Sequence, residues 1–241
     1  MAAIAKTHTS WRTLPRNVWA VSATSFFMDV SSEMVINILP LFLANVLGVK
    51  TNIIGVIEGL AETTASLLKI FSGWLSDKLR ARKWLAVSGY ALSAIVKPLF
   101  YFATTWELVA GARWADRVGK GIRTAPRDAL VADSVDVPQR GLAFGVARAG
   151  DTAGALLGIL IALGVVWFAQ AGAVELGEAT FRTIVLLSIV PAFLAVLALA
   201  LLARDVPVTR EREMPRFAFK ALGKPFMTLM LIVCIFELGN S

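Results

Sequence analysis

The sequence predicts an all-helical (all-α) membrane protein: a bundle of six transmembrane helices plus the start of a seventh. Three observations carry this. Of the 241 residues 57% are hydrophobic, against about 45–50% in soluble domains, and the excess is concentrated. Residues 152–174 and 183–203 carry no charge, and each is about the 20 residues a helix needs to cross a bilayer. Lys and Arg gather where apolar runs end, the pattern of cytoplasmic loops, so the net charge of +7 reads as topology and not as nucleic-acid binding. The alternating pattern of outer-membrane strands is absent, which leaves helices as the spanning element.

Taken in order, residues 1–16 are polar and basic (Lys6, Arg12, Arg16) and lack the apolar core and cleavage site of a secretory signal. The first span runs from 17 to about 47, with a kink expected at Pro40. The second covers about 52–75 and ends in a tight basic turn, Ser76 to Lys83. The third covers about 84–103, with Lys97 and Pro98 inside it. The charged fourth span follows, then the turn 135–141, a fifth span at about 142–168 and a sixth at about 183–202. This divides the chain into a six-helix bundle (1–203), a basic linker (204–224) and the first part of a seventh helix (225–241). The N-terminus and the linker are expected in the cytoplasm of a cell whose inner (plasma) membrane holds the protein, since their side of the bundle carries the Lys and Arg. An apolar run that stops at Ser241 after some sixteen residues barely spans a bilayer, so the chain is expected to be one half of a longer transporter, completed by a missing C-terminal half or a second copy.

The stretch 112–132 has the length of a span but carries Arg113, Asp116, Arg117, Lys120, Arg123, Arg127 and Asp128. At 100° per residue these seven fall within an arc of roughly 140°. A charge at the bilayer centre costs about 2.5–3.5 kcal/mol even on the lenient scale. The stripe must therefore face a wet cavity, a cytoplasmic mouth or partner charges, which suits a transporter better than an anchor. Carboxylates recur at helical spacing elsewhere: Asp29 and Glu33 in the first span, Glu58 and Glu62 in the second. Counting about 1.5 Å per residue places Asp29, Glu62, Arg113 and Asp151 near the midplane. A carboxylate at that depth can bind and release a proton, its affinity set by desolvation and a nearby arginine, or form a structural ion pair. Arg148 and Asp151, three apart, can neutralise each other or contact substrate, and Lys69 and Lys97 are expected to snorkel towards span ends. Arg123, Arg127 and Asp128 are assigned to salt bridges at a cytoplasmic gate.

The turn after the second span reads Gly73-Trp-Leu-Ser-Asp77-Lys78-Leu-Arg80-Ala-Arg82-Lys83. It resembles the loop G-x-x-x-D-[RK]-x-G-x-[RK]-[RK] between the second and third helices of the major facilitator superfamily, with Arg80 in place of the second glycine. Arg113 matches that family's intramembrane arginine. Gly141, Gly150, Gly154 and Gly158 match the glycine spacing of its proton-coupled antiporters, with Ala155 where proline is usual and Ile159 for the last glycine. The resemblance covers essentially the whole chain. It implies a fold of about twelve helices in two halves, a central cavity lined by helices one and four that Asp29 (with Glu33) and Arg113 would share, and a cytoplasmic loop (Gly73, Asp77, Lys78, Arg82, Lys83) that gates it. There Asp77 would cap a facing helix and pair with an arginine. Gly73 and the glycines of the fifth span would let helices approach closely.

The function expected is secondary active transport of a small molecule by alternating access, with protons as the coupling partner. The antiporter-like glycines point to efflux, and the five basic against two acidic residues of the stripe point instead to an anionic metabolite. The site residues are Asp29, Glu33, Glu62, Arg113, Asp116, Arg117 and Asp151. The competing class is a non-transporting membrane scaffold derived from a permease. No cofactor or metal is expected: Cys234 is the one cysteine and His8 the one histidine, and no HExxH, GxSxG or Walker loop occurs, so no enzyme is expected.

Overall fold

The computed structural model describes residues 10–170 and 176–206, with 223, 228, 229, 231 and 232 beyond them. The chain divides into two units, Met1–Pro207 and Val208–Ser241. The second contains only those last five described residues. The linker from residue 207 on and the expected seventh helix therefore lie outside the described residues apart from these five.

Within the first unit the long elements are α1 (Arg16–Ile36), α2 (Leu39–Asn45), α3 (Thr51–Leu79), α4 (Arg82–Phe102), α5 (Trp106–Ser134), α6 (Arg140–Gln170) and α7 (Glu178–Leu202). The expected first span is thus two helices, and the break falls at Asn37 and Ile38, before Pro40. Pro40 is the second residue of α2 and offers no N–H to the carbonyl of Ile36. The Asn37 amide turns back and donates to the Glu33 carbonyl and carboxylate, both at 2.9 Å. With α1 and α2 taken as one span, six helical spans are described. The stretches 16–45, 82–102, 137–169 and 178–202 are long and apolar enough to cross a membrane by length and composition. The 29-residue helices α3 and α5 carry the embedded charges.

Packing follows a pattern that repeats. The helix α1 packs on α6 and α7, α5 packs on α3 and α4, and α4 meets α7. Exchanging α1, α3 and α4 for α5, α6 and α7 leaves these pairings unchanged, so two three-helix units interlock. The helices α1 and α5 occupy equivalent central places and make few direct contacts with each other.

At one end of the bundle α1, α4, α5 and α7 meet. Asn17 donates to Ser134 Oγ and to the Arg204 carbonyl, both at 2.9 Å, and accepts from the Arg204 amide at 2.8 Å. The Lys83 amide donates to Asp205 at 3.0 Å. Two apolar clusters fill the interior. One, near this end, includes Val18, Val21, Tyr90, Leu130 and Leu199; the other includes Met34, Phe42, Phe100, Val109 and Phe181. The rings of Phe42 and Phe181 stack at 3.8 Å. Between the clusters lies a buried polar layer: Thr24, Ser25, Ser31, Ser93, Lys97, Arg113, Asp116, Arg117 and Arg123. Large apolar side chains such as Leu156, Leu160, Leu163, Trp167 and Val190 cover the outside. That inversion suits a lipid solvent.

Candidate functional site

The polar layer is organised by α5, whose charged arc divides among three neighbours. Towards α3, Arg113 is 2% exposed. Its Nε donates to both Glu58 oxygens at 3.0 Å, and its Nη2 also contacts Glu58. Arg117 pairs with Glu62 at 3.0 Å, and Arg113 reaches Glu62 at 3.9 Å. Both helices run in the same direction, from the end opposite Asn17 towards the Asn17 end. Two carboxylates four apart on α3 therefore meet two guanidiniums four apart on α5 in register, rung to rung. Trp114 Nε1 donates to Thr64 at 3.0 Å and Ser72 donates to the Gly121 carbonyl at 2.8 Å, two further contacts between the same helices.

Towards α4, Arg123 donates to Ser93 and its guanidinium lies 4.8 Å from the centre of the Tyr90 ring. Ser93 in turn donates to the Asp116 carbonyl at 3.2 Å. Asp116 is 3% exposed. Lys97, expected to snorkel, is instead 1% exposed. Its Nζ donates to the Ser31 carbonyl at 3.5 Å. It sits one residue before Pro98, well inside α4, and neighbouring helices cover it before it can reach an interface.

Towards α1 and α6, Arg127 donates to Ser25 at 3.0 Å, pairs with Asp128 at 3.0 Å and reaches Asp151 at 3.5 Å. Asp151 also pairs with Arg148 at 3.0 Å, as its spacing allowed. Asp29, half-buried on α1, has Asp151, Arg123, Arg127 and Lys120 as its charged neighbours. The residues expected to share a cavity are therefore redistributed. Asp29 and Asp151 come together with arginines of the lower α5. Arg113 turns away to α3, and Glu33 is held by Asn37 on its own helix. Arg127 and Asp128, assigned to a gate, lie in the Asp29 group.

At the Asn17 end, Arg82 opens α4 and is buried between Asp77, 3.2 Å away in the last turn of α3, and Asp133 of α5, 2.8 Å away. Asp77 has the arginine partner its motif implied. Asp133 has no counterpart in the sequence motif and was missed, since only the fold brings α5 to this turn. Lys78 and Lys83 lie 4.9 Å from the ring centres of Trp74 and Trp84. Arg80, in the motif's glycine place, adopts φ 52° and ψ 20° and ends α3 by donating its amide to the Ser76 carbonyl at 3.1 Å. The turn keeps the left-handed geometry that glycine adopts most easily.

The glycines divide. A Cβ at Gly150 would lie 2.8 Å from the Ser22 carbonyl, one at Gly158 would lie 2.5 Å from that of Val30, and one at Gly154 would strike that of Phe26. These three set α6 against the α1 backbone, four residues per step. Gly141, expected in the same role, has nothing within 4 Å because it lies in the first turn of α6, before the helices converge. Gly73 has room for ordinary contact, with Ala125 at 3.4 Å. Gly89 and Gly119, which no motif pointed to, bring α4 and α5 together. Among the described residues no group of three or more His, Cys, Asp or Glu could hold a metal ion.

Comparison with known proteins agrees with this geometry. The family model described as Major Facilitator Superfamily matches residues 21–240. The chain is 35% identical over 229 residues to an uncharacterised MFS-type transporter of Methanocaldococcus jannaschii, covering 95% of this chain and 55% of that protein. An uncharacterised protein of Mycobacterium bovis is 34% identical over 120 residues, 49% of this chain and 29% of that one. Among solved structures, a peptide transporter, POT, in complex with alafosfalin superposes with a TM-score of 0.68 at 17% identity, over 93% of this chain and 46% of that one. A bacterial homologue of the human lysosomal transporter Spinster, inward-facing and unoccupied, gives 0.62 at 15% identity over 87% and 47%. The chain spans about half the length of the relatives it matches over most of its own length.

Proposed function

The chain belongs to the major facilitator superfamily, and from that premise we propose that it is a secondary active transporter that exports small molecules in exchange for protons by alternating access. The observation that carries this reading is the group of Asp29, Asp151 and Arg127 beside the sparse α1–α5 contact, at the level of the buried polar layer, where in this reading the substrate cleft opens. Charges kept at that depth are costly unless water or substrate reaches them. Asp29 is the proton-exchanging carboxylate in this reading, and Arg127 with Asp151 are the groups that exchange partners as substrate enters. The Arg82, Asp77 and Asp133 cluster is the contact that closes the cytoplasmic end. A second helical bundle faces the cleft, supplied by a second copy or by another part of the polypeptide.

An anionic substrate is the weaker alternative. The basic excess of α5 is mostly engaged: Arg113 and Arg117 by Glu58 and Glu62, Arg127 by Asp128 and Asp151, Arg123 by Ser93 and the Tyr90 ring. Lys120 is exposed, and among the described residues no carboxylate lies within ion-pair distance of it. A neutral or amphiphilic cargo fits better than a multiply charged anion. The scaffold reading leaves the cleft charges without a purpose.

The test is flux in proteoliposomes, using protein purified from its own membrane with whatever copurifies. A panel of neutral, cationic and anionic small molecules is offered with and without a pH gradient. The expected result is gradient-driven accumulation that falls at least tenfold in Asp29→Asn. Flux that ignores the gradient removes proton coupling, and flux of anions alone favours the alternative. A cysteine placed at Ser10 should react with impermeant thiol reagents only from the cytoplasmic side; labelling from outside would reverse the topology.

A further inference from the structure

Lys97 and Asp116 are both buried in the polar layer, carry opposite charges and are each other's strongest charged neighbour. They are not in direct contact: among the described residues no ion pair within 4.0 Å joins them. The one hydrogen bond of the Lys97 ammonium is its long contact with the Ser31 carbonyl. Asp116 Oδ1 has no protein partner, and Oδ2 has only Arg113 Nη1 at 3.9 Å, too far for a hydrogen bond. Ser31 Oγ and Ser32 Oγ, on the α1 face of the same region, are likewise buried without partners. A buried polar group left without a hydrogen bond is destabilising, and more so when it is charged. A buried ion pair repays its desolvation only with close contact and satisfied lone pairs. Water bonded to two to four polar groups resolves this without moving a helix.

We propose that the unpaired groups between α1, α4 and α5 hold water that bridges Lys97 to Asp116, and that the water-linked pair is a proton relay. This rests on the proton-coupled reading and adds a more deeply buried site behind the half-buried Asp29. In the relay step a Lys97 Nζ–H bond breaks and its proton joins the bridging water. That water gives one of its own protons to Asp116 Oδ1, leaving a neutral amine and a neutral carboxylic acid. No net charge is created, so the step suits a low-dielectric interior. The route to the cleft runs along α1, where Ser32 lies one helical turn from Asp29.

The surroundings are charged on several sides. From α5, Asp116 faces Lys97, with Arg113, Arg117 and Arg123 near it. From α3, Glu58 and Glu62 act through those arginines. From α1 come the Ser31 carbonyl and the serine hydroxyls, with Asp29 and Glu33 flanking them in sequence. From α7, Glu178 and Arg182 pair with each other in its first turns.

The decisive measurement is infrared difference spectroscopy on the purified chain in lipid, with ordinary water replaced by oxygen-18 water as the probe. The wild type should show an O–H stretching band of strongly bonded water that shifts with the isotope and disappears in both Lys97→Gln and Asp116→Asn. It should also show, on acidification, a carboxylic-acid C=O component that Asp116→Asn removes and Lys97→Gln shifts, beside the Asp29 component that both variants keep. No isotope-sensitive band in the wild type, or carboxylic-acid bands that are the same in the wild type and Asp116→Asn, overturns the proposal. If a variant fails to fold, the wild-type isotope experiment still decides. In the flux assay each variant should lose gradient-driven accumulation at least tenfold. Wild-type flux without gradient dependence defeats the transport reading alone. A gradient response retained in Lys97→Gln defeats the relay alone.

Discussion

The α1–α6 and α3–α5 contacts are equivalent in the repeat of the fold and differ in what they add to a close approach of backbones. In the first, Gly150, Gly154 and Gly158 bring one helix against the backbone of the other. In the second, one glycine does this, since a Cβ at Gly121 would lie 2.9 Å from the Ala65 carbonyl, and Glu58 and Glu62 are laddered to Arg113 and Arg117. Lipid offers no hydrophobic drive between helices, so close packing and polar contacts must supply the attraction. A backbone-to-backbone contact has one seating, because any slide drives Cα atoms into carbonyls. The α1–α6 joint rests on three such contacts, the α3–α5 joint on one of them and on charge.

Substitutions can test that contrast. The largest effect is expected for Gly154→Leu, whose side chain must enter the Phe26 carbonyl. Overpacking against backbone should cost at least about 3 kcal/mol, read as loss of monodisperse protein in detergent. Next is Arg113→Met, which strands Glu58 beside an apolar side chain. Removing one partner of a buried pair costs about 3–5 kcal/mol, whereas replacing both is often neutral. The pair Arg113→Met with Glu58→Leu should therefore regain most of the lost thermal stability. If it does not, the ladder holds α3 through something besides charge. Arg82→Leu should cost about 2 kcal/mol, the scale of a hydrogen bond to a charged group, by stranding the mostly buried Asp133. Asp77→Asn, more than half exposed, should cost less than about 1 kcal/mol. Arg80→Gly should raise the unfolding temperature, because a left-handed residue with a side chain costs about 1 kcal/mol more than glycine. The smallest effect is expected for Gly141→Leu, within about 0.5 kcal/mol. A large loss there would mean the glycine contact extends further along α6 than the geometry gives it.

Much of the fold was legible in the residues. The uncharged runs of α6 and α7 and the basic turns that bound the spans report directly on solvent, because hydropathy is a local property. The break in the first span was placed at Pro40 and occurs three residues earlier; the proline's missing donor acts one turn back along the chain. The site was less legible. Helical spacing showed that Arg113 and Arg117 share a face, and that Glu58 and Glu62 do too. It did not say that the two faces meet. Depth and the family resemblance made Asp29 and Arg113 neighbours, yet rotation about α5 turns Arg113 to α3 and leaves Asp29 to Arg123 and Arg127. Lys97 looked like a snorkelling residue because nothing local distinguishes a lysine that reaches water from one its neighbours enclose.

Transfer from water to lipid is additive along the chain, so composition was enough to establish that helices cross a membrane and which residues they bury at costly depth. The pairing of those charges depends on which helix lies beside which, at what register and in which direction. Contacts between residues tens of positions apart settle that, as Arg113 with Glu58 and Arg82 with Asp133 show. The central place of α5 divided one charged stripe among α3, α4 and α1.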